Sequence, residues 1–185
     1  MSSSISNDIV RVMYSEEEIK KGIQRLCREI NAFYRKKNPV FICILKGGFV
    51  FLSDLLRNLP DLEVTVDFIA VSSYGRTTET SGIVRILKDL NEPITGRHVL
   101  IVEDIVDSGL TLSYIRRLFQ ARDPKSLKIC TLLDKESRRM VPVPIDYTGF
   151  IVPDEFVVGY GLDYDEKYRN LPYIGVLKKK IYNKG

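Results

Sequence analysis

Residues 99–119 read VLIVEDIVDSGLTLSYIRRLF, and their order decides the fold. Val99, Leu100, Ile101 and Val102 form an apolar run rich in β-branched side chains, entered from the turn at Thr95-Gly96. Such a run reads as a strand buried on both faces. Glu103 and Asp104 stand at its end; after Ile105 and Val106 come Asp107, Ser108, Gly109, Leu110 and Thr111. Leu112, Ile115, Leu118 and Phe119 then recur at helical spacing, with Arg116 and Arg117 on the other side. The pattern predicts a buried strand, an acidic tip, a loop of small residues and a helix.

Elementary electrostatics gives that loop a task. Backbone N–H groups at a helix N-terminus lack intrahelical partners and carry partial positive charge. Ser108 and Thr111 add hydroxyl donors, and Gly109 lets a ligand approach the backbone, which suits a phosphate. Glu103, Asp104 and Asp107 repel a bare phosphate, so they must face sugar hydroxyls, a metal ion or a proton to be removed. A phosphorylated sugar satisfies both halves of the loop. An ordinary strand-to-helix turn with solvated carboxylates has the same local pattern, so other segments must decide.

Three other segments stand with it: LKGG at 45–48, SSYG at 72–75 and DEFVVGYGLDYDEKYRNLP at 154–172. Together, and in this order, they resemble the type I phosphoribosyltransferases, most closely the 6-oxopurine branch, the hypoxanthine-guanine phosphoribosyltransferases. The resemblance covers nearly the whole chain. It implies transfer of the 5-phosphoribosyl group from phosphoribosyl pyrophosphate (PRPP) to hypoxanthine or guanine, giving IMP or GMP and pyrophosphate, with Mg²⁺ as cofactor. It implies that Glu103 and Asp104 hold the ribose hydroxyls, directly or through metal-bound water, and that Asp163 is a metal ligand. Ser108, Gly109, Leu110 and Thr111 are implied to hold the 5′-phosphate, and Asp107 to be the general base at the purine. Lys46, Gly47 and Arg169 are implied to bind pyrophosphate. Ser73 and Tyr74 belong to a closing lid. Lys135 is implied to donate to the purine 6-oxygen, Phe156 to stack on the ring and Val157 to meet it through its backbone. Many family members have Thr where this chain has Ser108; both offer a hydroxyl. A homodimer or homotetramer is implied as well.

The chain has 185 residues, 44% of them hydrophobic and 28% charged, which suits one phosphoribosyltransferase domain spanning 1–185. A formal net charge of +4 fits small anionic ligands and is too weak to argue for nucleic acid. Three cysteines, Cys27, Cys43 and Cys130, form no C-x-x-C pair and lie in apolar segments, which argues against a disulfide framework or zinc site. A single histidine, His98, opens a strand and reads as structural. The first residues lack the apolar core of a signal peptide, and no apolar run is long enough for a bilayer. A cytoplasmic enzyme with no membrane contact is the expectation.

Along the chain, the first dozen residues read as an irregular arm. Ser15 and Glu18 form a capping box before an amphipathic helix through Ile19, Ile23, Leu26, Ile30 and Phe33, closed by Asn38-Pro39. Residues 40–45 read as a second buried strand, ending at Lys46-Gly47-Gly48, with a helix beyond through Phe51, Leu52, Leu55 and Leu56. Strands are predicted over 63–72, 83–87, 127–133, 147–151, 156–158 and 174–177. The polar segment 73–81 reads as a mobile loop or flap. The Lys178-Lys179-Lys180 run reads as a solvated tail.

Strands alternating with helices predict an α/β fold with a central, mostly parallel sheet flanked by helices. The turns at Lys46, Glu103 and Lys135 then share one cleft at the strands' carboxyl ends. A small C-terminal hood over about 147–177, helped by the N-terminal arm, covers the base. Two other functions fit an α/β frame less well. A nucleotide-responsive nucleic-acid regulator requires a basic face or an appended binding domain. A phosphoacceptor receiver requires one isolated aspartate at a strand end and no purine-hood sequence.

Overall fold

The computed structural model describes residues 5–73 and 84–183. After a 3-10 turn at Ile5–Asp8 come strand β1 (Ile9–Tyr14), helix α1 (Glu16–Tyr34), β2 (Val40–Leu45), α2 (Phe49–Arg57), β3 (Thr65–Ser73), β4 (Val84–Lys88) and β5 (His98–Val106). The chain continues with α3 (Leu110–Gln120), β6 (Ser126–Asp134), β7 (Tyr147–Ile151), β8 (Val157–Val158), β9 (Ile174–Leu177) and the short α4 (Lys179–Tyr182). Of the expected lid, Ser73 ends β3, whereas Tyr74 and the rest of the polar segment lie outside the described residues.

Six strands form the main sheet in the order β4-β3-β2-β5-β6-β7. All its pairs are parallel except β3 with the edge strand β4. Strand periodicity splits each central strand between two cores. Phe41, Cys43, Leu100 and Val102 face α1 and α2, while Ile42, Ile44, Val99 and Ile101 face α3. Both faces are covered, so β2 and β5 are apolar over the stretch where they pair with each other, Val40–Cys43 beside Val99–Val102. Helix α1 starts on the predicted capping box: the Ser15 side chain accepts from the Glu18 N–H, and Glu18 accepts from the Ser15 N–H at 2.8 Å. A cap of this kind stabilises a helix by about 1 kcal/mol. It buries Ile19, Ile23, Leu26 and Ile30 against the sheet. The three cysteines are free and buried, and His98 Nδ1 lies 2.7 Å from the Ser126 hydroxyl.

A second sheet of three strands, β1-β9-β8, forms the hood, with both pairs antiparallel. Three expectations change here. The N-terminal arm is not irregular: β1 pairs with β9 from Ile9↔Leu177 to Tyr14↔Ile174. Strand β7 pairs with β6 and belongs to the main sheet, so the hood begins after Ile151 rather than at 147. The lysine run opens α4, whose Ile181 and Tyr182 pack on the hood.

Candidate active site

Helices α2 and α3 follow neighbouring strands, β2 and β5, yet pack on opposite faces of the sheet. Where adjacent strands send their chains to opposite faces, a crevice opens beyond their carboxyl ends. The β2–β5 ladder stops at Cys43↔Val102, while β5 runs on beside β6 as far as Val106↔Asp134. Glu103 and Asp104 therefore lie inside β5, at the lip of this crevice. The acidic pair was expected at a tip because charge reads as the end of a buried run; the ladder with β6 carries the strand past it.

Lys46-Gly47-Gly48 forms the opposite lip. Asp104's carboxylate fills the space where a side chain at Gly47 would stand, and the carbonyl of Gly47 does the same at Gly161, whose φ is +99°. Glycine is required at both places by close approach. Asp104 is buried there, with the half-buried Glu103 next to it in the strand. Burial, with Asp104 beside it, pushes the Glu103 carboxyl well above the usual range, and Glu103 Oε2 is shut from solvent without a hydrogen-bond partner. Burial also raises Asp104, against the Ile105 N–H (2.8 Å) and the field of Arg169.

Gly109 takes the left-handed conformation, φ +81°, and starts α3 with no side-chain cap. The first turn, where the Leu110 N–H makes a long 3.4 Å bond to the Ser108 hydroxyl, faces a cavity of about 150 Å³ lined by Glu103, Asp107, Ser108, Gly109 and Thr111. Leu110 is the first residue of α3 and, with Thr111, completes this turn. An uncapped helix start of this kind binds anions.

The purine side follows from register. Because Val106 pairs with Asp134, the next residues, Asp107 and Lys135, leave neighbouring strands together; the Lys135 N–H donates to the Val106 carbonyl at 2.9 Å. Lys135 is only 6% exposed. Burial lowers its pKa, opposed by Asp107 and Asp154. Val157 lies buried in β8, and its neighbour Phe156 stacks on Tyr182 with ring centroids 4.6 Å apart, edge-on to Tyr164.

On the other side, Arg169 donates to the Gly161 carbonyl at 2.7 Å and pairs with Asp163 at 2.8 Å. Glu166 bridges Lys46 (3.1 Å) and Arg169 (3.4 Å). Among the described residues, no three His, Cys, Asp or Glu side chains cluster closely enough to hold a metal ion by themselves. Asp163 thus stands apart from Glu103 and Asp104.

Sequence reading missed a strap over the loop. Met140 and Val141 donate their N–H groups to the Ser108 carbonyl, at 3.0 and 3.3 Å. Arg138 Nε lies 3.1 Å from Asp107 Oδ1 without the alignment of a hydrogen bond, and its Nη1 donates to Asp154 at 3.3 Å. Arg139 pairs with Asp134 and donates from Nε to the Asp107 carbonyl at 3.2 Å. The only signal was the double arginine four and five residues beyond the end of β6.

The phosphoribosyl transferase domain family matches residues 13–165. A hypoxanthine-guanine phosphoribosyltransferase of Bacillus subtilis is 52% identical over 96% of this chain and 98% of its own. A bifunctional TilS/HprT protein of Listeria innocua is 53% identical over 97% of this chain, which spans only 28% of that relative. The crystal structure of a Staphylococcus aureus hypoxanthine phosphoribosyltransferase superposes with a TM-score of 0.93 at 47% identity, covering 98% of each chain. With these likenesses running the length of the sheet, the crevice and the hood, the chain belongs to the hypoxanthine-guanine phosphoribosyltransferase family.

Proposed function

We propose that this chain transfers the 5-phosphoribosyl group of PRPP to hypoxanthine and guanine, forming IMP and GMP and releasing pyrophosphate. The observation that carries the reading is the Val106–Asp134 register, which sets Asp107 and Lys135 side by side next to an uncapped helix start. In the reaction a purine ring nitrogen bonds to the ribose C1 as the bond to pyrophosphate breaks. Asp107 takes the proton from the purine. Glu103 and Asp104 bind the ribose hydroxyls, and their negative charge stabilises the oxocarbenium-like ribose of the transition state. Ser108, Gly109, Leu110 and Thr111 hold the 5′-phosphate; Lys46, Gly47 and Arg169 hold the pyrophosphate. Lys135 donates to the 6-oxo group, Phe156 stacks on the base, and Val157 meets it through its backbone.

The donor set fits Mg²⁺. Glu103 and Asp104 at one lip of the crevice, and Asp163 apart from them beside Arg169, supply oxygen atoms only, and Glu103 Oε2 has no partner of its own. An ion that keeps waters and substrate phosphates in its shell needs no protein cage. Bound there, Mg²⁺ would neutralise the charge of the leaving pyrophosphate. Three free buried cysteines suit a cytoplasmic enzyme, and the family resemblance supports a homodimer or homotetramer.

The test is a spectrophotometric assay with PRPP and each base in turn. IMP and GMP should form with Mg²⁺ present and cease to form in excess chelator. Full turnover in chelator, or none with either base, overturns the reading.

A further inference from the structure

We propose that Arg139, held by the buried carboxylate of Asp134, is a positioning residue that fixes the backbone of Asp107, Ser108 and Gly109. This rests on the reading of residues 107–111 as the phosphate loop. Asp134 is 5% exposed at the end of β6, directly before Lys135. A buried carboxylate is costly unless paired, and Arg139 supplies the pair. As a stabilising device alone the pair is a poor choice, since apolar residues of similar volume often do as well or better. What apolar residues lack is direction. The guanidinium presents donors in a rigid planar fork. One arm meets Asp134 and the Nε arm meets the Asp107 carbonyl at 3.2 Å. The Arg139 stem also backs Gly109: its Cδ lies 2.9 Å from where a Cβ there would stand, beside the Val141 carbonyl at the same distance. The next two N–H groups of the strap bind the Ser108 carbonyl. Three successive loop residues are thus held from behind, all from the strand end that carries Lys135. The purine side and the phosphate side of the cleft are joined through one side chain.

Three variants of the full chain test this: Arg139→Met, which keeps an unbranched apolar side chain; Arg139→Lys, which keeps the charge and loses the fork; and Asp134→Asn. Amide exchange reads the brace without any ligand. In Arg139→Met and Asp134→Asn, the amides of Ser113, Met140 and Val141, which donate to the Gly109 and Ser108 carbonyls, should exchange faster, while those of β2 and β3 keep their protection. GMP affinity and kcat should fall on the order of 10²-fold, the cost of a small misplacement of reacting groups. Pyrophosphate affinity should hold, and Arg139→Lys should recover only part of the loss. In an Asp107→Asn background, Arg139→Met should add little to the kcat loss, because it acts through that residue. Unchanged loop exchange, wild-type GMP affinity in Arg139→Met, full recovery by Arg139→Lys, or equal losses for GMP and pyrophosphate each overturn the brace. A wild-type protein that binds no GMP would instead overturn the functional reading, and the exchange result would still decide the brace.

Discussion

The carboxylate of Asp104 occupies the volume that a side chain on Gly47 would need. The two lips of the crevice are therefore in contact, and neither can change alone. Gly47→Ala should displace Asp104 or push the turn outward. Because Asp104 is read as a ribose ligand and Gly47 as a pyrophosphate ligand, KM for PRPP should rise at least about tenfold, while the KM for hypoxanthine changes little. A small-to-large change in a filled site also costs about 1–3 kcal/mol of stability. Thermal melting and steady-state kinetics on Gly47→Ala and Gly48→Ala separate the two effects. The Cβ of the second would meet Cys43 Sγ at 3.0 Å and backbone carbonyls, not a ligand residue, so it should destabilise without a selective rise in KM for PRPP.

Asp107 has Arg138 near its carboxylate and Arg139 on its carbonyl. A positioned base contributes about 10²–10⁴-fold to turnover. Asp107→Asn should lower kcat by roughly that factor with PRPP affinity largely kept, because the phosphate donors are untouched. Single-turnover rates together with PRPP titration check this; near-normal turnover would remove Asp107 from the role of base.

Glu103 links function to pH-dependent stability. Its folded pKa is raised by burial and by Asp104. The folded state then binds more protons than the unfolded state, so this group's contribution is fully present below the unfolded carboxylate range and is lost as pH rises toward the raised value. Glu103→Gln keeps the neutral shape, and should melt higher than the wild type at pH 8 and nearly equally at pH 4. A gain of about 1 kcal/mol corresponds to about 2–4 °C in Tm. The same variant should bind Mg²⁺ and PRPP poorly. Equal Tm differences at both pH values would show that Glu103 is not strained by its charge.

Much of this frame was legible because apolar runs and helical spacing are local signals. The β2 run VFICIL and the β5 run VLIV read as strands covered on both faces, and Ser15 with Glu18 announced α1. Strand β1 was missed for a physical reason: IVRVMY has strand-forming residues, but Val10 and Val12 remain 60% and 50% exposed, so the apolar face they form covers no core, and its partner lies at the far end of the chain. The hood boundary was misjudged because Tyr147–Ile151 has the same local character whichever sheet it joins; only the ladder with β6 decides. Arg138 and Arg139 drew no reading at all, since a residue that holds another's carbonyl leaves no mark in spacing. Likewise, nothing in DYDEKYR foretold that Glu166 would bridge Lys46 and Arg169.

The base itself gives the sharpest test. Lys135 is buried beside Asp107, and a lysine has donors and, when charged, no acceptor. A 6-oxo group accepts hydrogen bonds. The 6-amino group of adenine presents N–H donors, leaving the ammonium unpaired and facing like polarity. Sites that hydrogen-bond one group reject an analogue lacking it by about 10⁴-fold or more. Hypoxanthine and guanine should be substrates and adenine essentially not. Lys135→Ala should weaken 6-oxopurines selectively and so narrow the gap to adenine. Phe156→Ala should weaken all bases alike, because stacking, worth about 0.5–1.5 kcal/mol, does not distinguish the 6-substituent. Ratios of kcat/KM for the three bases in wild type and both variants decide the matter. Wild-type turnover of adenine comparable to hypoxanthine, or hypoxanthine kinetics untouched in Lys135→Ala, would remove Lys135 from the recognition of the 6-position.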